Sequence, residues 1–187
     1  MTETLSLTNH FLIAMPSLPD PNFFHSVTYI CQHNEEGAMG IVITQPMDLS
    51  LGDVMEQMDL EIHDPAIANR PIYLGGPVQP ERGFVIHQLP GDWDATLEIS
   101  DEVGLTTSRD ILAAIADGTG PERSLVALGY AGWGPGQLEK EIAENAWLSG
   151  PADAQILFEM PISKRWAAAA ALVGVDVNRL SDEVGHA

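Results

Sequence analysis

Apolar residues along this chain come in short blocks, and the spacing inside each block tells strand from helix. Phe11 to Met15 is a continuous apolar run stopped by Pro16, which predicts a buried strand. Leu18-Pro-Asp-Pro21 predicts a turn. From Phe23 to Gln32, β-branched and aromatic residues partly alternate with polar ones, and Met39 to Thr44 has the same character. The short polar link His33–Ala38, containing Gly37, makes the two a β-hairpin. Past Ser50 the period changes. Leu51, Val54, Met55 and Met58 fall at i, i+3, i+4 and i+7, with Asp53 in the place of a capping-box Glu or Gln, so a short helix starts there.

Strands are expected at Ile72–Leu74 and Gly83–Leu89, around the turn Gly75–Val78, and again at Ala95–Ser100. A helix from about Arg109 to Ala116 takes Thr107 or Ser108 as its cap, turns Ile111, Leu112 and Ile115 inward, and ends at Gly118. Ser124–Tyr130 reads as a strand. A glycine-rich loop over 129–137 then opens onto a helix from about Pro135 to Ala146. Ala154–Glu159 reads as the last strand, and Ile162–Val173, with its alanine run, as the last helix. Residues 175–187 are polar and are expected to be a less ordered tail. No repeat or linker interrupts residues 1–187, which predicts one domain. Strands outnumber helices and cluster early, which favours α+β over a βαβ repeat.

Composition narrows the functional classes. A chain of 187 residues buries roughly 70% of its extended-chain surface, enough for a core without staples. No apolar run reaches the ~20 residues that span a bilayer. The first residues lack a signal-peptide pattern, and the lone Cys31 has no internal partner, so a reducing cytoplasmic setting is expected. Twenty-seven acidic residues face eight basic ones, a formal charge of −19. The cations are scattered along the sequence, with only Lys164 and Arg165 adjacent. Nucleic acid and anionic membranes offer phosphates that such a chain has little to neutralise, so direct contact with either is not expected.

Several motifs carry potential chemistry. Gly132-Trp-Gly-Pro-Gly136 lies between an expected strand and helix, where backbone N–H groups can hold an anion. Gln137 stands where the dinucleotide fingerprint needs glycine, and the Gly-Lys-Ser/Thr of a P-loop is absent, so a structural corner is the better reading. Cys31 and His33 are two apart on an expected strand and so would face the same way. That spacing suits a nucleophile pair or two metal ligands, but no further ligand spacing completes a metal set. No metal or cofactor is expected. Glu139, Glu141 and Glu144 read as a solvated helix face. Arg109, in the first turn of its helix, opposes the macrodipole and is expected to pair with Asp101, Glu102 or Asp110.

Taken together, several blocks give the chain a resemblance to the AlgH (YqgE) family of small bacterial proteins. The carriers are Phe11–Pro16, Asp20-Pro21, Ser26-Val27, His33-Asn34, Gly37–Gly40, Gly75–Val78, Arg82–Phe84, Thr107–Asp110, Gly129–Trp133, Gly136–Glu139, Asn145–Trp147 and Gly185–Ala187. Thr44 and Gln45 depart from that family's pattern of Asn and a basic residue before the proline. The resemblance implies a bifurcated, mostly antiparallel sheet curled into a pseudo-barrel with flanking helices. It implies no activity and no catalytic residue. The expectation is a non-enzymatic binding or regulatory module for a small molecule or a protein partner. Its site would lie around Trp133, with His33, Asn34, Arg82, Gln137 and Asn145 nearby, because recognition residues tend to sit on rigidly held turns. A transcriptional regulator acting through a protein partner is the alternative, and an unrecognised hydrolase or transferase the second.

Overall fold

Most apolar blocks of this chain are too short for a self-sufficient helix, and ten of them among the described residues pair as strands of one curled sheet. A computed structural model describes residues 6–15, 25–89, 91 and 93–174. The expected turn at Leu18–Pro21, the start of the 23–32 strand and the 175–187 tail lie outside the described residues.

Strand β1 (His10–Ala14) is followed by the expected hairpin, β2 (Val27–Asn34) and β3 (Gly37–Val42), joined by a two-residue turn. Strand β4 (Pro46–Ser50) runs straight into α1 (Leu51–Gln57). There the capping box forms as its spacing demands: Ser50 accepts from the Asp53 N–H and Asp53 from the Ser50 N–H. A single turn, α2 (Pro65–Ala68), precedes β5 (Pro71–Leu74). Strand β6 (Val78–Gln88) begins earlier than expected, with a wide bulge between Val78 and Gly83. Strands β7 (Thr96–Glu98) and β8 (Val103–Thr106) lead to α3 (Arg109–Asp117), closed by Gly118 in the left-handed conformation.

The largest departure follows. Strand β9 runs over Ser124–Trp133, so Gly129 to Trp133 is ladder rather than loop, and α4 (Gln137–Ala143) is only seven residues long. Strand β10 (Trp147–Pro151) had no sequence expectation. Ala154–Glu159, expected as a strand, is instead helix α5 (Ala154–Phe158). Asp153 caps it through the Gln155 and Ile156 N–H groups, and that local pairing outweighs the apolar run. Helix α6 (Ile162–Leu172) closes the described chain as expected.

The sheet order is β10-β1-β2-β3-β9-β6-β8-β7, antiparallel except where β5 joins β9 in parallel. Strand β9 is the fork. Its first half, Ser124–Leu128, pairs with β5 and β6; Tyr130 still pairs with Val78 of β6, and Ala131–Trp133 pair with β3. At the crossing Gly129 has φ 78°, and a Cβ there would lie 2.4 Å from the Gly76 carbonyl oxygen. The glycines of this stretch serve a close crossing of backbones, which no side chain could share.

One face of the sheet gathers Phe11, Tyr29, Ile41, Tyr73, Phe84, Leu105 and Leu125 into a single core, the inside of the curl, filled by α5 and α6. The outer face carries two smaller cores. One lies under α1 and α3, around Met55, Ile72, Val85 and Ile111. The other lies under α4, around Leu12, Ile30, Trp133, Leu138 and Trp147. The α+β class and the curled, forked sheet are as the resemblance implies.

Candidate functional site

Helix α4 packs on the outer face and holds two polar clusters. His33 is buried, and its Nδ1 accepts from the Leu7 N–H at 2.9 Å. That bond places the ring proton on Nε2, which donates to Glu139 Oε1 at 2.7 Å. His33 thus ties the N-terminal segment and α4 to the end of β2. Two residues further along α4, and so on another side of it, the Glu141 carboxylate collects three donors. Oε1 accepts from Trp133 Nε1 at 3.1 Å and from Trp147 Nε1 at 2.9 Å, and Oε2 accepts from Gln137 Nε2 at 2.9 Å. Gln137 Oε1 in turn accepts from the Gly134 N–H, closing the turn between β9 and α4. The two indoles meet edge to face, with ring centroids 6.2 Å apart.

The six expected site residues therefore separate. Trp133 is only 7% exposed, a core residue and not a surface one. Asn145 has φ 62° and ends α4: its N–H reaches the Ile142 carbonyl, and the Ala146 N–H reaches that of Glu141. This is a Schellman closure with Asn in glycine's usual place. Gln137 and His33 belong to the α4 side of the sheet. Asn34, Arg82 and part of Trp133 line an open cavity of about 920 Å³ at the other end of the inner face, beyond the part that α5 and α6 fill. Asn34 Oδ1 accepts from the Glu36 N–H and shapes the hairpin turn. Arg82 projects from the β6 bulge, 5.4 Å over the Phe84 ring, with Nη1 on Gln79 Oε1 at 3.4 Å.

Residues that the periodicity did not single out complete the cavity. Met39, Phe84, Leu97, Leu105 and Tyr130 form its apolar floor, with Phe84 and Tyr130 edge to face at 5.7 Å. Gln32, Glu36, Asp94, Thr96 and Thr107 ring it. Glu141 was also missed as an organiser. Its sequence signal was Gln137 one helical turn before it, flanked by two tryptophans.

The Cys31–His33 pair does not form. The β2–β3 register slips between Ile30 and Gln32, leaving Cys31 as the bulged residue. That extra residue reverses the side-chain alternation: Cys31 enters the inner core while His33 turns toward α4. Burial pushes the Cys31 thiol well above its usual value, which removes the thiolate a nucleophile needs. Among the described residues no three His, Cys, Asp or Glu side chains converge as a metal site. Arg109 departs from the ion pair expected with Asp101, Glu102 or Asp110. It donates to the Met58 carbonyl at 2.8 Å, while the Asp110 carboxylate accepts from Ser108 and from the Asp94 N–H. At the departing positions, the Thr44 hydroxyl accepts from the Val27 N–H and the Gln45 carbonyl from the Leu74 N–H.

Fold and site define a curled-sheet α+β protein with an open, polar-rimmed groove inside the curl. A family model described as AlgH-like matches residues 11–178, and the chain belongs to that family. It is 60% identical over 187 residues to a UPF0301 protein of Thioalkalivibrio sulfidiphilus, covering 100% of both chains. It is 56% identical to a UPF0301 protein of Nitrosococcus oceani over 96% of each. The solution structure of the AlgH protein of Pseudomonas aeruginosa is similar, with TM-score 0.80 and 49% identity over 97% of this chain and 96% of that one. A crystal structure of a Corynebacterium diphtheriae protein, 20% identical, shares the fold at TM-score 0.71 over 92% and 90%. No helix among the described residues is long and apolar enough to cross a membrane.

Proposed function

We propose that this chain is a non-enzymatic binding module that takes up an extended segment of a protein partner, apolar and basic in composition, along the groove inside the curl. The observation that carries the reading is the meeting of an apolar floor with a sheet edge. Strand β7 ends the sheet order, and no described strand pairs with its other side. Leu97 on that strand is 41% exposed and lines the groove beside Phe84 and Tyr130. An unpaired edge offers backbone hydrogen bonds to an extended peptide, and pockets beside it select alternate side chains. Glu36 and Asp94 on the rim, Glu98 on β7 and the overall −19 charge favour cationic partners and repel phosphate backbones. The groove is open along one side, as suits a peptide better than an enclosed small molecule. Any effect on transcription would then pass through the bound protein.

Selection from a random peptide display library against the intact protein tests this. The expected result is enrichment of segments alternating aliphatic and basic residues, whose binding moves the amide resonances of 94–98 and 82–84. Leu97→Asp should weaken them tenfold or more, about 1.4 kcal/mol, without disturbing the fold. Equal binding to that variant, or binding that maps elsewhere, would refute the reading.

A further inference from the structure

Cations that are far apart in the sequence meet at one small pocket. Arg70 follows α2, Arg123 precedes β9, and Arg165 lies in α6. All three line a cavity of about 280 Å³ together with Tyr73, Glu122, Ser124 and Phe158. Three of the chain's eight Lys and Arg residues thus share one recess of a protein that is otherwise strongly anionic. Arg165 is only 3% exposed, and among the described residues no carboxylate pairs with it. Its Nε donates to the Met160 carbonyl at 3.1 Å, and its Nη1 donates to the Ile43 carbonyl at 2.7 Å and to Tyr73 Oη at 3.0 Å. Nη2 makes no hydrogen bond to any described residue. Withdrawing a guanidinium from water against neutral acceptors alone is costly, and a counter-charge would offset that cost. Arg70 makes no side-chain hydrogen bond or ion pair among the described residues. Arg123 is held by Glu159 at 2.7 Å, and among the described residues Glu122 is the one carboxylate that lines the cavity.

We infer that this pocket is a binding site for a small oxyanion of the phosphate class, inorganic phosphate or a short phosphomonoester. Planar guanidinium forks match tetrahedral oxyanions in charge and geometry, and the Tyr73 and Ser124 hydroxyls add neutral donors. The volume admits one such group but not a nucleic-acid strand. The site is separate from the groove beside β7 and does not depend on what that groove takes.

The test is a titration of the full-length ¹⁵N-labelled protein with inorganic phosphate and, separately, glycerol 3-phosphate, with sodium chloride holding ionic strength constant. Saturable shifts at Arg70, Tyr73 and 123–126 are expected with both probes. Tighter glycerol 3-phosphate binding would assign the site to the ester, and tighter phosphate binding to the free ion. Arg70→Gln and Arg123→Gln, each confirmed as folded by its own spectrum, should weaken binding about tenfold or more. Glu122→Gln should tighten it two- to fivefold, which a purely structural role for these arginines would not produce. An unsaturated drift, or affinities unchanged across the three variants, would overturn the site.

Discussion

Three N–H donors converge on the Glu141 carboxylate, and two of them are indoles of one small core. Glu141→Ala removes the acceptor that Trp133 and Trp147 share, and should cost about 2 kcal/mol, read from urea unfolding followed by tryptophan fluorescence. Glu141→Gln keeps an oxygen in the same place and should lose less than half as much. Equal losses would mean that charge, not acceptor geometry, holds the cluster. At this scale the sequence was only partly legible. The glycines, Trp133 and Gln137 stood out, yet Glu141 looked like one more carboxylate on a solvated face. Its two indole partners lie before and after α4, so no single helical period displays them. Cys31 and His33 failed for a different reason: one bulged residue reverses the alternation on which their pairing depended.

Among elements, the decisive feature is the fork in β9. Gly129→Ala places a Cβ 2.4 Å from the Gly76 oxygen at φ 78°, so backbone must move. The loss should exceed about 3 kcal/mol, lowering the melting temperature by more than about 6 °C or abolishing soluble expression. Gly118→Ala is the control. Its φ is 81° but nothing lies within 4 Å of the added Cβ, so only the left-handed penalty of about 1–2 kcal/mol applies. Similar losses at the two glycines would refute close backbone approach as the reason for Gly129. Local signals located the hairpin, the Ser50 capping box and the end of α3 at Gly118, because each is settled within a few residues. Strands β4, β8 and β10 were invisible for the converse reason: short runs with little alternation become strands only when a neighbouring edge supplies their hydrogen bonds.

For the whole molecule, the excess of carboxylates is a long-range repulsion that salt shortens. The screening length falls from about 30 Å at 0.01 M to about 8 Å at 0.15 M salt. The melting temperature should therefore rise by a few degrees over that range in sodium chloride, measured by calorimetry at pH 7. A flat or falling profile would show that the acidic residues are already compensated locally. Phosphate at matched ionic strength should add to the rise through the three-arginine pocket, linking the global charge to one local exception.

The order of apolar blocks and the balance of strand over helix were enough to set the α+β class, and short motif blocks such as Gly75–Val78 and Gly129–Trp133 carried the resemblance to one family. Each is a property of neighbouring residues or of summed composition. Which arginines gather, which face of β2 a histidine takes, and where the inner face stays open were decided only by the folded chain. They depend on backbone crossings and register between segments that are distant in sequence, which no one-dimensional period records.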